Sequence, residues 1–265
     1  IKAVIVTDYA GHVADWNKIK RLSKKYKFFT INDNCHALGA KYKKDKKYAC
    51  KFADIVTQSF HPVKVITTGE GGAVLTNYKK FFDRINILRT HGIERNKKLQ
   101  KKFGNWYYQM NFLGYNYRLS DLQASLGISQ LKKITKFINK RKKLAKMYDF
   151  YFKDNSLFST PRTESYCDHS YHIYPLKINF NSLKIDKKKF FQVLFKKKLN
   201  LQVHYIPIHL QNFYKKTFNY KIGDFPASEN YYKQTVSLPL FYSLKFSEQK
   251  KVVNKIFSVC EEFKK

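Results

Sequence analysis

Residues 53–76, ADIVTQSFHPVKVITTGEGGAVLT, constrain this chain more than any other stretch. They read as a buried strand, a polar turn ending in Lys64, a glycine-rich bend and a second strand. Lys64 therefore projects from a strand end, where ligands of open α/β sheets bind. Partial desolvation there lowers a lysine's pKa and leaves a nucleophilic amine. That is what a lysine needs to form a Schiff base with an aldehyde cofactor. The plain alternative is a solvated surface lysine, one of 45 in the chain.

A second strand end points the same way. Residues 3–6 form a short apolar strand, residues 15–26 a helix capped by Asp15 with Ile19, Leu22 and Tyr26 on one face, and residue 28 starts another strand. This βαβ unit ends at Asp33. Asp33 and the turn over 59–64 both lie at carboxyl ends, so the two converge on one cleft. The alternative for Asp33 is an ordinary turn-capping aspartate. Gly69, Gly71 and Gly72 read as bends that permit positive φ, with spacing unlike a Walker or GxGxxG loop.

Further on, the pattern predicts a strand over 72–76, a helix over 78–89 stopped near Gly92, and a loop over 93–112. Ser120 with Gln123 makes a capping box for one long helix to about Phe152. Leu131, Ile134, Ile138, Ala145 and Tyr148 line its inner face, and most of its lysines face solvent. A smaller α/β unit follows: a strand over 170–178, a helix over 186–199, a strand over 201–206 and a closing helix over 247–263. The expected division is residues 1–152 and 153–265.

The formal charge of +33 raises a nucleic-acid partner. The excess is spread along the chain and is lysine, with only seven arginines, and no base-reading or stacking motif accompanies it. A composition biased toward Lys, Asn, Ile, Phe and Tyr explains it more simply; a positive field still favours an anionic substrate. Cys35, Cys50, Cys167 and Cys260 show no metal spacing and read as free thiols of a cytoplasmic protein. No run of about twenty apolar residues suggests a membrane span.

Three segments carry a family resemblance. Ser59-Phe60-His61-Pro62-Val63-Lys64, followed by Thr67-Thr68-Gly69-Glu70-Gly71-Gly72, resembles the lysine loop of the DegT/DnrJ/StrS sugar aminotransferases. These are pyridoxal 5'-phosphate enzymes that aminate nucleotide-linked keto-sugars. Asn32-Asp33-Asn34-Cys35-His36-Ala37-Leu38-Gly39-Ala40 is similar to the family's acidic strand-end motif, and Leu113-Gly114-Tyr115-Asn116-Tyr117-Arg118-Leu119-Ser120-Asp121 to its GxNxR segment. The resemblance runs over essentially the whole chain. It implies an α/β fold of the PLP-dependent transferase fold type I (aspartate aminotransferase-like): a partial large domain with a mixed, mostly parallel sheet, plus a small C-terminal α/β domain. Ile1 matches the middle of the relatives' large domain, so the front part, which gives amides to the cofactor phosphate, is expected to lie outside this chain.

The resemblance also implies roles. Lys64 holds the cofactor and shuttles the proton, Asp33 pairs with the ring nitrogen, His36 lies near the phenolic oxygen, and Ser59 donates to the phosphate. Asn116 reaches the partner subunit's phosphate, which implies a homodimer. Arg118 touches substrate or structures its loop. Residues 202–211, QVHYIPIHLQ, are similar to the branch that aminates C4 of a UDP-linked 4-keto-6-deoxy-N-acetylhexose in the pseudaminic acid pathway. His204 and His209 face the sugar or brace the loop; as a metal pair they lack partners. Glutamate is the implied amino donor. The alternatives are another nucleotide-linked keto-sugar, a related dehydratase (those carry histidine in place of Lys64), or an inactive basic binding protein on the same scaffold.

Overall fold

The computed structural model describes residues 1–265, which divide into two units: residues 1–135 with 166–168, and residues 136–165 with 169–265. The first unit begins with β1 (Ala3–Thr7), α1 (Trp16–Tyr26), β2 (Phe29–Asp33), β3 (Lys41–Tyr42), α2 (Tyr48–Phe52) and β4 (Ile55–Ser59). It continues through β5 (Gly72–Leu75), α3 (Lys79–Leu88), β6 (Ile93–Glu94), α4 (Lys97–Phe103), β7 (Gln109–Met110) and α5 (Asp121–Leu131).

Its main sheet runs β1-β2-β4-β5. The first three strands are parallel, as helical crossovers through α1 and α2 require, and β5 is antiparallel to β4. In the register, Asp33 faces Thr57 and Ser59 faces Gly72. Asp15 caps α1 as expected, accepting from the Lys18 N–H at 3.2 Å. The glycines divide their work: Gly69 (φ +80°) and Gly71 (φ +151°) turn the chain, whereas Gly72 makes room, since a Cβ there would lie 2.6 Å from the Gln58 carbonyl oxygen.

The heart of this unit is polar. Asp8 is fully buried. Its Oδ1 accepts from the Ala14 N–H (2.9 Å) and the Trp16 indole (3.2 Å). Its Oδ2 accepts from Asn32 (3.0 Å), Asn34 (2.8 Å) and the Tyr48 hydroxyl (2.8 Å). Burial pushes the Asp8 carboxyl above its ordinary range, and the donors pull it back. Val13, Trp16, Ala37, Tyr42, Tyr48 and Val56 pack as the apolar part of the same core.

The second unit contains α6 (Ile134–Phe152) and β8 (Phe158–Ser159). The chain then returns to the first unit as β9 (Cys167–Asp168), which pairs with β3. The second unit resumes with β10 (Tyr174–Ile178), α7 (Lys187–Lys196), α8 (Asn212–Phe218), α9 (Pro226–Gln234), β11 (Thr235–Leu238) and α10 (Phe246–Glu262). Its antiparallel sheet, β11-β10-β8, packs with α6, α7 and α10 around Leu144, Tyr148, Leu176, Leu194, Val236 and Ile256. No helix is long and apolar enough to cross a membrane.

Four expectations need revision. Residues 120–152 form two helices, because the Lys133 N–H reaches back only to the Gln130 carbonyl (3.0 Å) and ends the α register. The Ser120/Gln123 capping box itself forms. The buried face of α6 belongs to the second unit's core, so the division by packing falls at 135/136 and not at 152/153. Residues 201–206 build no strand: Gln202 bridges Ser237, and Pro207 offers no N–H to extend a ladder. Finally, residues 93–112 hold β6, α4 and β7 where a loop was expected.

Candidate active site

Asp33 ends β2, and the turn that carries Lys64 follows the carboxyl end of the neighbouring β4. The Lys64 N–H closes a turn on the His61 carbonyl at 2.9 Å, and the chain beyond is fastened back: the Thr68 N–H (3.0 Å) and the Thr67 hydroxyl (3.0 Å) both donate to the Phe60 carbonyl. Such a closed loop gives the lysine a fixed root. Its side chain is half-buried, and desolvation lowers the amine's pKa from the ordinary lysine range. The Cys35 thiol and then the Asp33 carboxylate act on it in the opposite sense, so the three groups share one electrostatic neighbourhood.

Asp33 ends β2 and accepts from the Cys35 N–H at 3.1 Å. His36 is buried one turn further on, where its Nδ1 accepts from the Ala10 N–H at 3.3 Å and its ring lies 6.0 Å from that of Tyr9. Ser59 ends β4, half-buried, and its hydroxyl oxygen accepts from the His61 N–H at 3.4 Å. Thus Asp33 and Ser59 end two neighbouring parallel strands, and His36 and Lys64 come from the turns that follow them. Two residues that sequence reasoning passed over belong here as well: Cys35, and Thr57, whose register faces Asp33. Their spacing was the available signal, since Cys35 is two residues after Asp33 and Thr57 two before Ser59, on the same strand face.

Asn116 and Arg118 lie elsewhere in the first unit, on an exposed stretch that bridges Thr90. Arg118 lines a cavity of about 700 Å³ with Thr57, Glu70, Phe82, Leu119 and Gln123; neither Lys64 nor Asp33 lines it. His204 and His209 belong to the second unit. The His204 ring pairs with the Ser237 hydroxyl at 2.8 Å. His209 is buried against Glu229 at 2.9 Å, and that carboxylate also accepts from the Gly223 and Phe225 N–H groups. The His209 bond holds the Glu229 carboxyl below its ordinary range. This is a bracing geometry for His209, and no local pattern links it to Glu229, its partner 20 residues on.

The mixed, mostly parallel sheet and the solved structures that the chain resembles define the class, an α/β transferase of fold type I. The chain belongs to the DegT/DnrJ/EryC1/StrS aminotransferase family, whose model matches residues 1–257. It is 40% identical over 267 residues to the UDP-4-amino-4,6-dideoxy-N-acetyl-beta-L-altrosamine transaminase of Campylobacter jejuni, covering 100% of this chain and 67% of that protein. It is 31% identical over 263 residues to a spore coat polysaccharide biosynthesis protein of Bacillus subtilis, covering 98% of this chain and 67% of the relative. Among solved structures, the Helicobacter pylori aminotransferase involved in pseudoaminic acid biosynthesis superposes with a TM-score of 0.88 at 31% identity, over 99% of this chain and 67% of that one. The chain therefore spans about two thirds of the length of these relatives.

Members of the family use pyridoxal phosphate. The donor set fits that group: an amine with lowered proton affinity, a carboxylate beside it, and a serine hydroxyl at the adjoining strand end.

Proposed function

We propose that this protein is a nucleotide-sugar aminotransferase that moves an amino group from glutamate to C4 of a UDP-linked 4-keto-6-deoxy-N-acetylhexose. The observation that carries the reading is the Lys64 turn, which follows β4 next to the parallel strand that Asp33 ends, with the carboxylate acting on the Lys64 amine. The C. jejuni and H. pylori relatives support the sugar class by their named activities.

Pyridoxal phosphate, when bound, supplies the electron sink that lets an amino group leave one carbon and join another. The protein's own residues do the rest. Lys64 would hold the cofactor covalently through Nζ, and desolvation, which lowers its pKa from the ordinary lysine range, favours the nucleophilic form of the amine. Once released, Nζ would take the proton from the donor's α-carbon and later return one at the sugar's C4. Asp33 would pair with the ring nitrogen and keep its proton in place. Ser59 would donate to the phosphate and His36 would orient the ring from its buried seat.

Asn116 would serve a second copy of the chain in a homodimer, and its exposed position on a stretch with Leu113 (89% exposed) supports that use. The +33 charge suits a nucleotide diphosphate. The test is amino transfer from glutamate to a panel of UDP- and dTDP-linked keto-sugars, with the full-length protein. Lys64→Ala is expected to lower turnover by roughly three orders of magnitude or more. Wild-type turnover in that variant would end the assignment.

A further inference from the structure

We propose that Cys35 is a positioning residue for Asp33: its side chain ties the turn that carries the acid to β4, the strand that leads into the Lys64 turn. The proposal rests on the function proposed above and adds a residue to its machinery.

The link can be followed atom by atom. The Cys35 N–H donates to Asp33 Oδ1 at 3.1 Å and closes a short turn at the end of β2. The Cys35 thiol then crosses to β4 and donates to the Thr57 carbonyl at 3.7 Å, with Thr57 Oγ1 at 4.0 Å. That same carbonyl accepts from the Asn34 N–H at 3.1 Å. Thr57 is the residue that faces Asp33 in the parallel register, and its hydroxyl donates to the Asn32 carbonyl at 3.5 Å. One side chain thus joins the acid's turn to the neighbouring strand, within the neighbourhood of the Lys64 amine.

The chemistry of the thiol agrees with a donor role. Burial, and then the neighbouring Asp33 carboxylate, push it up to about 11, so it keeps its proton at neutral pH. A thiol held in that state is a poor nucleophile and a poor redox group. What remains is a weak hydrogen-bond donor with a long reach. Alanine would keep the backbone bond to Asp33 and lose the hold on β4. Serine would keep a donor on a slightly shorter arm.

The experiment measures the dissociation constant of the full-length protein for pyridoxal phosphate, in wild type, Cys35→Ala, Cys35→Ser, Asp33→Ala and the Cys35→Ala/Asp33→Ala double variant. Cys35→Ala is expected to weaken binding about fivefold, the equivalent of one net hydrogen bond. Cys35→Ser should recover only part of that loss, to about threefold weaker than wild type, since its donor sits on a shorter arm. In the Asp33→Ala background, Cys35→Ala should have no further effect, because a residue that acts through Asp33 has nothing left to position. The cofactor-free melting temperature of Cys35→Ala should stay within about 2 °C of wild type, which separates positioning from folding.

Wild-type affinity in Cys35→Ala, serine as poor as alanine, an undiminished loss in the Asp33→Ala background, or a loss that tracks melting would each overturn the proposal while leaving the functional reading intact. A wild-type protein that binds no pyridoxal phosphate, or an Asp33→Ala variant that binds it normally, would overturn both.

Discussion

The two units stabilise themselves by different means. In the first, the buried centre is a carboxylate, Asp8, held by five donors from Ala14, Trp16, Asn32, Asn34 and Tyr48. In the second, the centre is hydrocarbon: Leu144, Leu176, Leu194, Val236 and Ile256, with Arg141 donating to three carbonyls at its margin. A hydrocarbon core tolerates small shifts, because dispersion is non-directional. A saturated polar core fixes angles, because each donor has one good direction. The candidate chemistry sits on the polar unit: Asn32 and Asn34, which grip Asp8, flank Asp33 in sequence. The difference teaches that the site's geometry is set from behind by hydrogen bonds, not by apolar packing.

The largest effect should come from breaking that polar centre. Asp8→Ala removes the shared acceptor of five donors, of which Asn34 keeps another in the Tyr48 hydroxyl at 2.7 Å, and is expected to destabilise the protein by about 4 kcal/mol, read by denaturant unfolding. Asparagine should rescue little, since both carboxylate oxygens accept and an amide nitrogen cannot. Leu176→Ala in the other unit should cost about 3 kcal/mol through its cavity. The two variants sharpen the contrast through a second readout: Asp8→Ala should also weaken pyridoxal phosphate binding, whereas Leu176→Ala should leave it within about twofold once folded protein is compared. Equal effects on binding would erase the distinction.

A smaller effect is expected at the buried His209–Glu229 pair. His209→Ala should lower stability by less than Leu176→Ala does, because Glu229 keeps its two backbone donors but loses the imidazole. As Glu229 titrates below its ordinary value, its contribution is present above the ordinary carboxylate range and fades as pH falls through the lowered value. Acid unfolding of wild type and His209→Ala should therefore converge at low pH.

The smallest change has the opposite sign. Lys64 has a lowered pKa, so its protonated form opposes folding below that value, and stability rises with pH toward the ordinary lysine range. Cofactor-free Lys64→Met should melt slightly above wild type at neutral pH, and the gap should close as pH rises. A gap that widened with pH would contradict the desolvation argument.

What the sequence could convey follows from range. That Asp33 would end one strand and that Lys64 would follow another in a turn was legible, because both short strands are bounded by local turn signals. The capping box at Ser120 was legible for the same local reason. Asp8 was not, since TDYAGH reads as a polar loop and the Asn32, Asn34 and Tyr48 donors come from 24 to 40 residues away. Glu229 was hidden from His209 by a separation of 20 residues. The break between α5 and α6 escaped because the apolar stripe runs on across it, although α5 buries no residue and only α6 packs in a core.

The central claim is that Lys64 is the amine that captures the cofactor. It is tested most directly by borohydride reduction of the full-length protein with pyridoxal phosphate, followed by peptide mapping of the attached group. Our account expects a single modified lysine, Lys64, with labelling abolished in Lys64→Ala; label spread over surface lysines, or retained in that variant, would contradict it.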